Sequence, residues 1–400
     1  MSAHLTEKRL GYILVLGSLA ALGPLCTDLY LPALPQMAHE LNTNTATSQL
    51  SLTTGLLGLG LGQLIFGPLS DKYGRLRPLL WSLALLLAAS VWCAVAPNIE
   101  QLIAARLLQG LAGAGGAVLS RAVARDMYNG HELTRFFALL MLVNGLAPIV
   151  APVLGGGLLN FMNWRGIFGA LAVISVLLFT FSLLKLHETL PTERRSQGGV
   201  MVMFRAIGGL LHDRQFMGLC LAQGFTMAGM FAYIGASPFV LQQIYHLSPQ
   251  MFSLCFAANG VGLVLAALIS TRLSGKWGEL ALVKSGLCIG ALGAISLVAA
   301  ASLHAPLIML LVPLFFSVIT VGIVGPNASS LAMQSQGKNA GSASALIGVC
   351  MFALGSISVP VIGLGGTSAL SMGLTILACF AIAIILFVTL VRKPQASVSP

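Results

Sequence analysis

The sequence predicts an all-α membrane protein whose twelve transmembrane helices form two six-helix bundles. Three observations predict it. Hydrophobic residues fill 57% of 400 positions and charged residues only 8%, with a mean hydropathy of +0.92, far from the balance of soluble domains. The apolar residues gather into twelve runs, each close to the roughly 20 residues that a ~30 Å hydrocarbon core requires. One long polar stretch divides these runs six and six.

In order, the runs lie near 11–35, 48–69, 78–96, 100–124, 136–160 and 165–186, then 216–240, 250–273, 280–301, 305–333, 340–362 and 368–391. They are too long for the ~10-residue alternating strands of a membrane barrel. Lys8 and Arg9 ahead of the first run imitate a signal peptide, but eleven further runs and the lack of a clear small-x-small cleavage site make it a retained helix. The polar stretch from His187 to Gln215 contains ETLPTERRSQGG. It reads as a cytoplasmic linker over 187–215, between a bundle at 1–186 and a second at 216–400 that ends in a short tail.

Orientation follows from the basic residues, because positively charged loops stay cytoplasmic. With the amino terminus inside, one face receives Lys8, Arg9, Lys72, Arg75, Arg77, Arg125, Arg135, Arg194, Arg195, Arg205, Arg214, Arg272, Lys276, Lys284, Lys338, Arg392 and Lys393. The opposite loops hold only Arg165. Both termini are therefore predicted to be cytoplasmic. This topology accounts for the net charge of +10 without a nucleic-acid partner. The seven cysteines lie singly within spans and read as small apolar packing residues. His131, His187, His212 and His304 fall in loops or at span ends, so no metal site, catalytic centre or cofactor is expected. No Gly-x-x-x-x-Gly-Lys-Ser/Thr motif for ATP occurs.

The halves echo one another. Lys72-Tyr73-Gly74 joins helices two and three, and Lys276-Trp277-Gly278 joins helices eight and nine. A repeated Lys-aromatic-Gly turn at equivalent positions points to duplicated bundles, a common transporter plan with its substrate site at the interface between repeats.

GPLSDKYGRLRP, from Gly67 to Pro78, is the most specific motif. Gly67 permits close helix approach, Asp71 and Arg75 offer a charge pair, and Gly74 allows a tight turn. The stretch resembles the signature loop of the major facilitator superfamily, with Lys72 and Leu76 as departures. Helix four carries RLLQGLAGAGG, whose Arg106, Gln109, Gly110 and Gly113 resemble that superfamily's Arg-x-x-Gln-Gly motif. Helix five carries NGLAPIVAPVLGGG, where Pro148, Pro152, Gly155 and Gly156 belong to a stretch similar to the antiporter element Gly-Pro-x-x-Gly-Gly, with Ala151 in place of a glycine. TDLYLPALP, WRGIF at Trp164 to Phe168, and GFTMAGMFAYIGASPFV at Gly224 to Val240 resemble the Bcr/CflA branch of drug:proton antiporters, including bicyclomycin-resistance transporters. The resemblance spans essentially the whole chain and is strongest up to about Thr189.

It implies a central cavity and export of small molecules, such as antibiotics, driven by inward proton flow across the bacterial inner membrane. It also implies that Asp71, Arg75 and Asp126, together with Gly67 and Gly74, form a conformational latch. The alternative within transporters is a dedicated exporter of a metabolite such as an amino acid or nucleoside. A membrane enzyme or receptor would call for clustered histidines and acids or a long extramembrane domain, and neither is present.

The residue that most needs a reason is Asp28, in GPLCTDLYLPALP. An ionisable group inside a span costs ~2.5–3.5 kcal/mol on insertion scales and ordinarily faces a cavity or partner. Counted from an external end near Pro35, Asp28 lies roughly 10 Å deep, and Arg106 lies roughly 10 Å deep from an end near Glu100. Burial and a nearby guanidinium act on a carboxyl in opposite senses. A change in water access, or in the distance to Arg106, would switch Asp28 between protonated and ionised, so this pair is the candidate for proton coupling. For substrate, the candidate cavity residues are Tyr30, Gln109, Asn144, Gln223, Met227, Phe231, Tyr233, Asn259 and Asn327, because soft Met and aromatic walls repack around varied ligands. The expected partners are a small-molecule substrate, protons and the lipid bilayer, and the expected state is a monomer.

Overall fold

A computed structural model describes residues 2–128, 130–195, 199–334, 336, 340–363 and 366–391. Short polar residues begin many of its helices by accepting a bond from an otherwise orphaned amide. Asn44 accepts from the Thr47 N–H at 2.7 Å, Asn98 from Gln101 at 3.0 Å, and Asn163 from Gly166 at 3.2 Å. Ser248 and Ser368 do the same for Met251 and Ser371. The helices that follow are α1 (Ser2–Ala20), α2 (Leu22–Asp28), α3 (Leu34–Glu40), α4 (Thr45–Tyr73), α5 (Leu76–Val95), α6 (Ile99–Met127), α7 (Gly130–Leu158) and α8 (Trp164–Lys185). The second half comprises α9 (Gly199–His212), α10 (Arg214–Phe239), α11 (Pro249–Trp277), α12 (Glu279–Ser302), α13 (Leu307–Met333), α14 (Ala340–Gly363) and α15 (Ala369–Leu390).

Among the described residues, ten helices are long and apolar enough to cross a membrane, and the bent first pair brings the number to eleven. α7 is the remaining span of the twelve-helix fold; its apolar stretch Gly145–Leu158 is shorter. Most helix ends fall within a few residues of the hydropathy runs. The first run is the exception. Its helix breaks at Ala21, and the axis bends by 41° before continuing through a 3-10 turn (Leu31–Ala33) to Glu40. Pro24 supplies the reason: it has no N–H to bond the Ala20 carbonyl, and its ring crowds that carbonyl. The span that was expected to end near Pro35 thus runs on to Glu40. The expected linker also carries structure, since α9 occupies Gly199–His212 and packs against both α4 and α14.

The internal echo has a geometric counterpart. α4 and α11 are each 29 residues long, and each ends on a glycine of positive φ, Gly74 at 88° and Gly278 at 77°. A Cβ is strained in that conformation, so glycine turns the chain at both places.

Within each half, small residues bring helices close. A Cβ on Gly110 of α6 would overlap the Gly55 carbonyl oxygen of α4, and one on Gly322 of α13 would overlap that of Leu263 on α11. The halves meet along α4 against α14 and α7 against α11. Four hydrogen bonds join them at the rim that carries Pro32: Gln49 to the Gly235 carbonyl at 3.0 Å, Gln242 to that of Pro32 at 3.2 Å, and Gln250 to the Gly156 carbonyl at 3.1 Å and the Asn160 side chain at 2.9 Å. The side chains of Lys8, Arg9, His131, Arg135, Asn144 and Arg194, and residues 338, 392 and 393, lie outside the described residues.

Candidate functional site

α2 ends at Asp28, so the carboxylate sits where a helix gives way to a 3-10 turn and is only 5% exposed. The Arg106 guanidinium acts on its charge, and the adjacent Thr27 hydroxyl donates to the Gly23 and Pro24 carbonyls at 3.2 Å. The turn is held from α7: a Cβ on Gly155 would overlap the Leu29 carbonyl oxygen. The adjacent Gly156 faces Ser253 and the Pro249 carbonyl of the other half. The antiporter-like motif therefore touches the Asp28 turn with one glycine and the opposite bundle with the next.

Arg106 is fully buried. Its Nη1 donates to the Cys26 carbonyl at 2.8 Å and to Gln109 Oε1, and its Nε donates to the Ser51 carbonyl at 3.3 Å. The guanidinium lies 4.3 Å from the Tyr30 ring centre and 5.7 Å from that of Phe168. Nη2 has no hydrogen-bond partner among the described residues. Among the described residues, no ion pair within 4.0 Å links Arg106 to Asp28. The two groups that similar depth brought together therefore do not pair directly; Arg106 holds backbone carbonyls of α2 and α4, and acts on Asp28 only through space.

Two residues expected to line the cavity are committed to this arginine. Gln109 is fully buried, accepts from Arg106 and donates to Ser90 Oγ at 2.8 Å. Tyr30 is 1% exposed, stacks on Arg106, and its hydroxyl meets Ser51 Oγ at 3.3 Å. Other expected cavity residues spend their polar atoms between helices of the second half. Gln223 bonds Ser329 at 2.9 Å and Met351 at 3.3 Å, Asn259 bonds the Tyr233 hydroxyl at 2.9 Å, and Asn327 bonds Ser270 at 2.6 Å. Buried amides in a span find such partners because lipid offers none. Phe231 packs against Phe352 with ring centres 5.8 Å apart, while Met227 is half-buried.

At the rim opposite Pro32, Arg75 gathers the signature loop. Its Nη1 donates to Asp71 at 2.5 Å and Ser70 at 2.8 Å, and its Nε to Asp126 at 2.8 Å. Burial opposes the charge on Arg75, but the hydrogen bonds and charges of Asp126 and Asp71 outweigh it and hold its pKa above the ordinary arginine value. All three residues belong to the first half. Gly67, expected to allow close helix approach, has nothing within 4 Å of where a Cβ would stand, so the arrangement seen does not use it that way.

Sequence reasoning missed Glu188. Its Oε1 accepts from the Arg75 backbone N–H at 2.8 Å and its Oε2 from that of Leu76 at 3.2 Å, so a carboxylate caps the amino terminus of α5. Thr189 adds a bond to Asp126 at 3.2 Å. The signal available was an acid placed directly after a span, ahead of the Glu193-Arg194-Arg195 run.

Two six-helix bundles joined at one rim, with a carboxylate and a guanidinium buried in the first, define a polytopic membrane transporter rather than an enzyme. The chain belongs to the major facilitator superfamily, whose model matches residues 16–360. It is 43% identical over 369 residues, 92% of each chain, to an uncharacterized MFS-type transporter, YdgK, of Bacillus subtilis (strain 168). It is 28% identical over 383 residues, 96% of each chain, to the bicyclomycin resistance protein homolog of Haemophilus influenzae. The fold matches, with a TM-score of 0.74 at 16% identity, over 97% of this chain and 99% of that one, a bacterial homolog of the human lysosomal transporter Spinster in an inward-facing, unoccupied conformation.

Proposed function

We propose that this transporter exports small, drug-like molecules in exchange for protons, by alternating access across the cytoplasmic membrane, as a monomer with both termini in the cytoplasm. The observation that carries the reading is Asp28, a carboxylate 5% exposed at the end of α2 with no ion-pair partner within 4.0 Å among the described residues. A buried acid without a fixed counter-ion takes up or releases a proton when water reaches it. Its place on a turn held by Gly155 links water access to the motion of α7. Arg106 keeps that turn in position and biases the proton affinity.

The bundles are assigned to 1–186 and 216–400, and 187–215 to a cytoplasmic linker. In this topology the Pro32 rim is external, and its four bonds describe a state closed to the outside. Arg75, Asp71 and Asp126, with Gly67 and Gly74, act as the latch that biases the balance between states. Likeness to a relative named for bicyclomycin resistance supports a drug-like substrate. Met227 offers soft surface for it, and Phe231, Gln223, Tyr233, Asn259 and Asn327 shape the walls behind; Asn144 belongs to the same candidate set.

The test is export from vesicles under an imposed pH gradient, with a resistance panel in an efflux-deficient bacterium supplying the substrate. Wild type follows the gradient, and Asp28→Asn is made at normal levels yet loses gradient-driven export. Full pH-driven export by Asp28→Asn would overturn the reading. Resistance to no drug on the panel, with export of an amino acid or nucleoside, would replace the drug by a metabolite.

A further inference from the structure

Beside the bend in the first span lies an apolar cavity separate from the residues described above. α1 and α8 run together on the surface of the first half. Small residues on one wall, Gly11, Ser18 and Ala21, leave a cavity of about 460 Å³ between them. The facing wall includes Leu177 and Phe181, 50% and 48% exposed, so the cavity opens toward lipid. Its lining runs from Gly11 to Leu25 on one side, roughly 20 Å, and from Ile174 to Lys185 on the other, roughly 16 Å. Half of a ~30 Å hydrocarbon core is roughly 15 Å, so the groove is about one leaflet long.

Charge marks one end: Lys185, exposed, closes α8 and stands in the lining. An apolar groove one leaflet long with a cation at its interfacial end complements one acyl chain below an anionic headgroup. A polar substrate finds only Ser18 beyond Lys185, and lipid tails fill any concave surface that packing leaves open.

We propose that this groove binds one anionic phospholipid, its acyl chain lying along Ser18 and Ala21 and its phosphate against Lys185. The deep end, Leu25, lies on α2 three residues before Asp28, so a bound chain braces the bend that carries the carboxylate. The leaflet concerned is the inner one if the termini are cytoplasmic.

Native mass spectrometry of the full chain in mild detergent tests this with phosphatidylglycerol and phosphatidylcholine as probes. Wild type retains one phosphatidylglycerol in preference to phosphatidylcholine. Lys185→Glu reduces that preference by at least about fivefold, the effect of losing one cation near an anionic surface, to which the new anion adds repulsion. Ser18→Trp, which fills the groove, lowers retention of both lipids, and Leu14→Trp repeats the filling from a residue 62% exposed in case the first variant folds poorly. Unchanged phosphatidylglycerol retention in Lys185→Glu and in a folded filling variant would overturn the proposal. So would a dimer of wild type that buries Leu177 between copies, which would give the groove to a second chain.

Discussion

Arg106 Nη1 donates 2.8 Å to the carbonyl of Cys26, two residues before Asp28, yet makes no ion pair with the Asp28 carboxylate. The cation anchors the backbone that presents the acid and leaves the acid itself without an ion-pair partner. In the proposed exchange for protons, a full ion pair would hold Asp28 ionised through the cycle, and its absence is what the reading requires.

Arg106→Lys should therefore fail although it keeps the charge. An ammonium cannot reproduce the planar fork that reaches Cys26, Ser51 and Gln109 together, and hydrogen bonds to charged groups contribute ~1.5–3 kcal/mol each. The expected outcome is a loss of export of about tenfold or more at normal membrane levels. Wild-type export by the lysine variant would show that charge alone suffices.

Gly155 and Gly157 form a matched pair on α7. A Cβ at Gly155 overlaps the Leu29 carbonyl oxygen, whereas nothing lies within 4 Å of one at Gly157. Gly155→Ala should cost about 1–3 kcal/mol by overpacking and reduce export. Gly157→Ala should leave export intact and raise stability by about 0.5–1 kcal/mol through helix propensity. Thermal melting in detergent, run beside transport, reads both.

Glu188→Gln keeps the side chain's size but removes the anion at the start of α5. The loss should be about 0.3–1 kcal/mol, the usual scale for a charge at a helix terminus, and should shrink as salt rises. A melting shift that ignores salt would assign Glu188 a packing role instead.

Asp126 and Asp71 should differ as partners of Arg75. The Asp126 side chain is 18% exposed and that of Asp71 is 52%, so water screens the second pair more. Double-mutant cycles on stability should give a larger coupling for Arg75 with Asp126 than the ~0.2–1 kcal/mol usual for exposed pairs such as Arg75 with Asp71. Equal couplings would mean that burial does not set the strength of this network.

Much of the architecture was legible in the chain because hydropathy reports directly on lipid. Helix α4 was expected at 48–69 and runs Thr45–Tyr73; α15 was expected at 368–391 and runs Ala369–Leu390. The first span was legible as apolar but not as bent, since a window average is blind to the bond that Pro24 withholds from Ala20. Glu188 was hidden by its place in a polar stretch, where one acid looks like any solvated charge.

By itself the sequence determined the membrane environment, the helical spans, the repeated glycine turns at Gly74 and Gly278, and the depth of Arg106 along its helix, whereas the depth of Asp28 shifted once the first span proved to run on to Glu40. These follow from local chemistry: apolar length, glycine's freedom and rise per residue. Only the tertiary structure decided which way each side chain turns. Depth leaves rotation about a helix axis free, and the packing of α4 against α6 and α7 against the Leu29 turn removes that freedom. That packing directs Arg106 to backbone carbonyls, commits Gln109 and Tyr30 to the arginine, and leaves Asp28 without an ion pair.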